Sequence, residues 1–87
     1  MGKNYKIVFR KSAEKQLLKL PKETARNILK QIQSLSTNPV PSRSKKMAGF
    51  DNVFRLRFRN YRIIYRHEKD ELIIEIIKIG HRQNIYK

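Results

Sequence analysis

The chain has 87 residues, in which 21 Lys and Arg stand against 7 Asp and Glu, for a formal net charge of +14 and a pI near 10.6. That length predicts one domain, 1–87, with a single modest core, and the charge suits a partner rich in phosphates or carboxylates. Cysteine is absent, which removes disulfides and thiolate metal sites; no run approaches a membrane span and MGKNYKIVFRK lacks a signal-peptide core, so a cytoplasmic protein is expected.

Tyr5, Ile7 and Phe9 alternate with Lys6 and Val8, which predicts a first strand over residues 5–9. Ser12 introduces a helix in which Ala13, Leu17 and Leu20 recur at helical spacing. Pro21 ends it and can open a second helix over roughly residues 22–35, since a missing N–H costs nothing in the first turn. Ala25, Ile28, Leu29, Ile32 and Leu35 form the apolar stripe of that helix, with Lys22, Arg26, Lys30 and Gln33 on its solvated side. Stripes of this kind in a small domain cover a sheet, and they are read here as core.

Residues 34–44, SLSTNPVPSRS, act as a stop followed by a connector, because Asn38-Pro39 and Pro41 forbid helix and disfavour a central strand. Lys45, Lys46, Met47, Ala48 and Gly49 then lead to a loop at Phe50, Asp51 and Asn52.

The next fifteen residues, VFRLRFRNYRIIYRH, are the most informative in the chain. They hold Arg55, Arg57, Arg59, Arg62 and Arg66 without one carboxylate. Phe54, Leu56 and Phe58 alternate with arginines, the period of a half-buried strand. If Arg59-Asn60 is a two-residue hairpin turn, with Asn60 tolerating the left-handed conformation, Phe58 pairs with Tyr61 and Arg57 lies across from Arg62. Like charges directly opposite destabilise a sheet, so this face calls for good solvation or a bound polyanion. A charged turn around Glu68, Lys69 and Asp70 follows. LIIEIIKI, residues 72–79, reads as an interior strand covered on both faces, with Gly80 ending it before a polar tail.

The predicted order is β-α-α-β-β-β. It gives an α+β fold of two layers, an antiparallel sheet with a helical hairpin packed on one face. Arg55, Arg57, Arg62 and Arg66 would share the other face with Ile64.

The inventory of reactive groups is short. Two histidines, His67 and His81, and no cysteine fall short of the three or four convergent ligands of a transition-metal site. Gly2, Gly49 and Gly80 are too scattered for a phosphate loop, and no serine sits in a nucleophile elbow. Cations, one histidine and one tyrosine near the C-terminus suit metal-free, cofactor-free cleavage of RNA, which supplies its own 2′-hydroxyl nucleophile. Arginine stays protonated, so Arg55, Arg57, Arg62 and Arg82 can act only as electrostatic clamps. Histidine is the side chain that carries protons near neutrality, which points to His81, while Tyr86 can donate a proton or stack on a base. His67, beside the acidic turn, is expected to be structural or exposed.

KKMAGFDNVFRLRFRNYRIIY and IIKIGHRQNIYK resemble the RelE toxins of bacterial and archaeal toxin–antitoxin systems. The likeness extends to the first strand and the KLPKE helical junction, and its most specific parts are the R-x-R…Y-R-I-I-Y hairpin and the G-H-R…I-Y ending. The resemblance implies a RelE-like fold of the microbial-RNase type and a ribosome-dependent endonuclease that cuts mRNA in the ribosomal A site through the 2′-hydroxyl. It further implies contact with ribosomal RNA and neutralisation by an acidic RelB-like antitoxin that wraps around the toxin. Carried over residue by residue, the catalytic set is Arg57, Arg62, His81, Arg82 and Tyr86, and RNA binding falls to Lys45, Lys46, Arg55, Arg57 and Arg62. The best-studied RelE type has lysines where this chain has Arg55 and Arg57, so any proton-accepting role of those lysines moves here to His81. Two rival readings stand beside it: a ParE-type toxin acting on DNA gyrase, which shares this fold but lacks the assembled set of Arg62, His81, Arg82 and Tyr86, and an RNA-binding module without catalysis, for which charge alone suffices.

Overall fold

The computed structural model describes residues 4–81, arranged as β1 (Lys6–Phe9), α1 (Lys11–Leu18), α2 (Lys22–Ser34), β2 (Ser44–Lys46), β3 (Val53–Phe58), β4 (Tyr61–Glu68) and β5 (Ile73–His81). The strands form one five-stranded sheet in the order β1-β5-β4-β3-β2. Helices α1 and α2 lie on one face of it, as their stripes predict. Ala13, Leu17, Ile28, Ile32 and Leu35 meet Leu56, Ile63, Tyr65, Ile74, Ile76 and Ile79 in a single core.

Several expectations need correction. The sheet is mixed, because β1 runs parallel to β5, with Ile7 against Ile74 and Phe9 against Ile76. Strand orientation of this kind is settled by contacts between the two ends of the chain, which local patterning does not encode. A short fifth strand, β2, pairs antiparallel with β3 at the far edge. It directly follows the proline-rich connector, and prolines of that kind are compatible with a sheet edge. Helix α1 starts at Lys11, with Arg10 at its N-cap and no side-chain cap, so Ser12 does not introduce it. Gly80 does not end β5, which continues to His81. Nor is β5 covered equally on both faces: Ile74, Ile76 and Ile79 are buried, whereas Ile73, Glu75, Ile77 and Lys78 are half-buried.

One feature of β5 sets which side its last described residues, Lys78 to His81, present. Ile64 pairs with Lys78, but Tyr65 pairs with Ile76, so Ile77 is skipped in a bulge. The inward set therefore runs Ile74, Ile76, Ile79, and the parity of the strand reverses after Ile77. β1 ends opposite Ile76, so β5 has no strand neighbour on that side from Ile77 onward. Helix α1 supplies the missing partners: Ser12 Oγ donates to the Ile77 carbonyl at 3.4 Å, and the Ile79 N–H donates to Gln16 Oε1 at 2.8 Å.

Candidate active site

The hairpin forms in the predicted register. Phe58 pairs with Tyr61, Arg57 with Arg62 and Arg55 with Ile64, while Lys45 on β2 pairs with Arg55. Residues paired across a ladder share a face, so Lys45, Arg55, Arg57 and Arg62 form a cationic band over three strands, on the side away from the helices. Arg62 is only 5% exposed, and its Nη1 donates to the Tyr61 carbonyl at 3.4 Å. Arg57 is exposed and Arg55 half-buried. Arg66 shares this face but is engaged elsewhere: its Nη2 donates to Glu75 Oε1, while Glu75 Oε2 accepts from Arg10 Nε at 3.2 Å, and the Arg66 Nε lies 4.0 Å from Glu68. The band is therefore rich in cations at its hairpin end and balanced by acids at the other.

Beside the band, between β2 and the β3–β4 turn, lies an open groove of about 430 Å³. Arg43, Lys45, Arg55, Arg57 and Arg59 line it together with Phe58, and among the described residues no carboxylate does. Sequence reasoning missed Arg43, because the strand that brings it there was taken for connector. It also left Arg59 out of the site, although it counted this residue with Arg55 and Arg57 in the alternation. Arg59, and not Asn60, takes the left-handed conformation, with φ 55°, and its guanidinium lies 5.0 Å from the centroid of the Phe58 ring. The SRSKK run was the signal available for Arg43.

The two lysines assigned to RNA are separated. Lys46 pairs with Phe54 on the helix side of the sheet, and it borders a different hollow with Asp51, His67 and Glu68. Neighbours along a strand point to opposite faces, so only Lys45 joins the band.

His81 is also not brought to the arginine side. It pairs with Tyr61, and the two rings meet edge to face with centroids 5.6 Å apart. The residue of β5 opposite Arg62 is Gly80, which presents no side chain there. The bulge at Ile77 is the cause, since strict alternation from Ile74 and Ile76 would have put His81 with the arginines. His81 stays exposed at the end of the sheet, beside the hairpin turn. Arg82 and Tyr86 lie outside the described residues. His67 is structural: it is 6% exposed, its ring is 4.9 Å from that of Tyr5 and 6.2 Å from that of Phe54. Burial, helped by Lys69, holds its pKa below the usual histidine value, against an opposing pull from Glu68.

Among the described residues no three His, Cys, Asp or Glu side chains converge so as to hold a metal ion, and no helix is long and apolar enough to cross a membrane. The chemistry on offer is a set of fixed cations aimed at one face, one of them desolvated. Such a set binds phosphate and stabilises charge that develops on it.

A family model described as ParE toxin of type II toxin-antitoxin system, parDE, matches residues 7–86. The chain belongs to the RelE/ParE toxin family. Within it the likeness is to the RelE type. A chain named as a RelE toxin, from Methanocaldococcus jannaschii, is 33% identical over 86 residues, covering 95% of this chain and 96% of that one. The RelE–RelB complex of Pyrococcus horikoshii matches with a TM-score of 0.82 and 29% identity, over 93% of this chain and 98% of that chain. The RelBE2 toxin–antitoxin complex of Mycobacterium tuberculosis matches with a TM-score of 0.79 and 25% identity, over 91% and 99%. The isolated RelE toxin of Escherichia coli, 21% identical, shares the fold at a TM-score of 0.79 over 94% of this chain and 90% of that one. This chain is thus a RelE-type toxin of a type II toxin–antitoxin system, with the α+β fold of that family.

Proposed function

We propose that this toxin is a metal- and cofactor-independent endoribonuclease that cuts mRNA in the ribosomal A site, in the cytoplasm. The observation that carries the reading is the cationic hairpin end of the band, where Arg57 stands directly across from the buried Arg62. In the proposed reaction the 2′-hydroxyl attacks the adjacent phosphorus, a cyclic phosphate forms, and the 5′-oxygen leaves with a proton. Arg57, Arg62 and Arg82 neutralise the pentacoordinate phosphorane, and Lys45 and Arg55 hold the strand. His81 is the proton carrier in this reading, exposed at the end of the sheet on the side of Tyr61. Tyr86 donates to the leaving oxygen or stacks on a base.

So sparse an acid–base set leaves alignment of the 2′-hydroxyl to an external scaffold. Holding reactants in line supplies about 7–11 kcal/mol of a barrier, which is why the ribosome and its RNA are proposed as partners and free RNA as a poor substrate. The regulator proposed is a RelB-like, acidic antitoxin whose segment folds on the toxin and offsets its +14 charge; the P. horikoshii relative was solved as a RelE–RelB complex and the M. tuberculosis relative as a toxin–antitoxin complex.

Primer extension on a message after induction of the toxin tests the reading. Cuts at in-frame positions, abolished when translation of that message is blocked, are the expected result. The ParE name of the matching family model favours a second reading, inhibition of DNA gyrase. That reading expects intact message and loss of supercoiling activity in a purified gyrase assay. Tight, salt-dependent RNA binding with neither effect would leave a binding module.

A further inference from the structure

The groove beside the arginine band offers a flat surface as well as charge. Arg59 is exposed, and the left-handed backbone at this residue sets its guanidinium against the Phe58 ring at 5.0 Å. A guanidinium stacked on one side presents a planar, cationic face on the other, a surface on which unpaired bases stack. On the opposite wall, the Arg57 N–H donates to the Arg43 carbonyl at 3.5 Å, which continues the β2–β3 ladder and puts Arg43 on the face of Lys45. The groove's volume of about 430 Å³ lies within the roughly 300–1,000 Å³ of sites that enclose one ligand-sized group, so it suits a single nucleotide better than a duplex.

We propose that Arg59, backed by Phe58, is a stacking platform for an unpaired base, and that Arg43 with Lys45 holds the phosphate next to it. The groove then takes the nucleotide that neighbours the one cut at the arginine band. This inference rests on RNA being the substrate, as proposed above. It assigns Arg43 and Arg59 positioning roles: they hold the strand while Arg57 and Arg62 act on the scissile phosphate.

The test uses the full chain and a fluorescent single-stranded oligonucleotide of 2′-O-methyl RNA, which binds but has no nucleophile, alongside an abasic version of the same strand. Arg59→Lys keeps the charge and loses the plane. It should lose about tenfold in affinity for the base-bearing strand, in line with the worth of one stacked base, and nothing for the abasic one. Arg59→Gly should show the same base-dependent loss, and because glycine accepts positive φ it will fold at least as well as the parent. Arg43→Ala should lower the slope of log affinity against log salt by about 0.7 on both strands. Equal binding of the two strands by the parent, or an Arg59→Lys variant that matches it on the base-bearing strand, overturns the platform. An unchanged salt slope for Arg43→Ala overturns the phosphate contact. A glutamate-rich peptide that competes equally against parent and Arg59→Lys, with no preference for bases, would mean that the groove takes acidic protein instead. Cleavage plays no part in these measurements, so the platform can fail while ribosome-dependent cutting stands, and the reverse.

Discussion

Arg57 and Arg62 stand directly across from each other in the β3–β4 ladder, one pair in from the Phe58–Tyr61 pair that closes the turn. Two guanidinium groups so placed repel, yet only one is exposed. Removing the exposed partner should therefore help the fold and harm the function. Arg57→Gln is expected to raise stability by about 0.2–1 kcal/mol, read as a higher urea midpoint, while cleavage of ribosome-bound message falls. A lower midpoint would show that Arg57 is held by compensating contacts and that the pair is not a concession to phosphate binding.

Arg62 and His81 should fail in different ways. Arg62 is desolvated and fixed to the Tyr61 carbonyl, so it is a preorganised charge, and Arg62→Ala should cost about 10²–10³-fold in kcat. His81→Ala should cost ~10²–10⁴-fold and also remove the limb that a proton-carrying histidine imposes on the pH–rate profile, with ribosome binding nearly intact. Should His81→Ala cleave at the parental rate with an unchanged profile, its place across from Tyr61 is purely structural. Catalysis would then rest on the arginines and Tyr86.

His67 should make the fold acid-sensitive. Its folded pKa lies below the ordinary value of 6.5 because burial and Lys69 oppose its charge. The unfolded chain therefore binds the proton more readily, and the stability contributed by neutral His67 is present above pH 6.5 and lost as pH falls through the folded value. His67→Phe keeps the contacts to Tyr5 and Phe54 and removes the titration. Urea midpoints measured from about pH 7.5 down to about pH 5, across the histidine range, should fall for the parent and stay flatter for this variant.

Tyr65 ties the proline-rich connector to the core. Its side chain is fully buried under the helices, and its hydroxyl donates to the Pro39 carbonyl at 2.6 Å. Burial pushes the phenol pKa up, partly offset by a hydrogen bond with Ser44, so the group remains a donor. Tyr65→Phe should cost about 1–3 kcal/mol by leaving the carbonyl without this partner. It should also weaken RNA binding, because the connector it anchors leads into Arg43 and Lys45. Full retention of RNA affinity alongside the stability loss would detach the anchor from the groove.

The helical stripes, the hairpin register and the arginine face were legible from local patterning, since each depends on residues within a few positions of one another. Alternation through Phe54, Leu56 and Phe58 and again through Tyr61, Ile63 and Tyr65 allowed little freedom: a slip of one residue would have buried arginines in the core. Tertiary structure alone decided three things that matter for function. The parallel pairing of β1 with β5 joins segments more than sixty residues apart. The edge strand β2, which delivers Arg43 and Lys45, exists only because β3 offers it an open ladder. The bulge at Ile77 is invisible in a run of isoleucines, any of which could face inward. Packing on α1 and pairing with β4 chose Ile79 for the core, and that choice carried His81 to the side of Tyr61 and left Gly80 opposite Arg62.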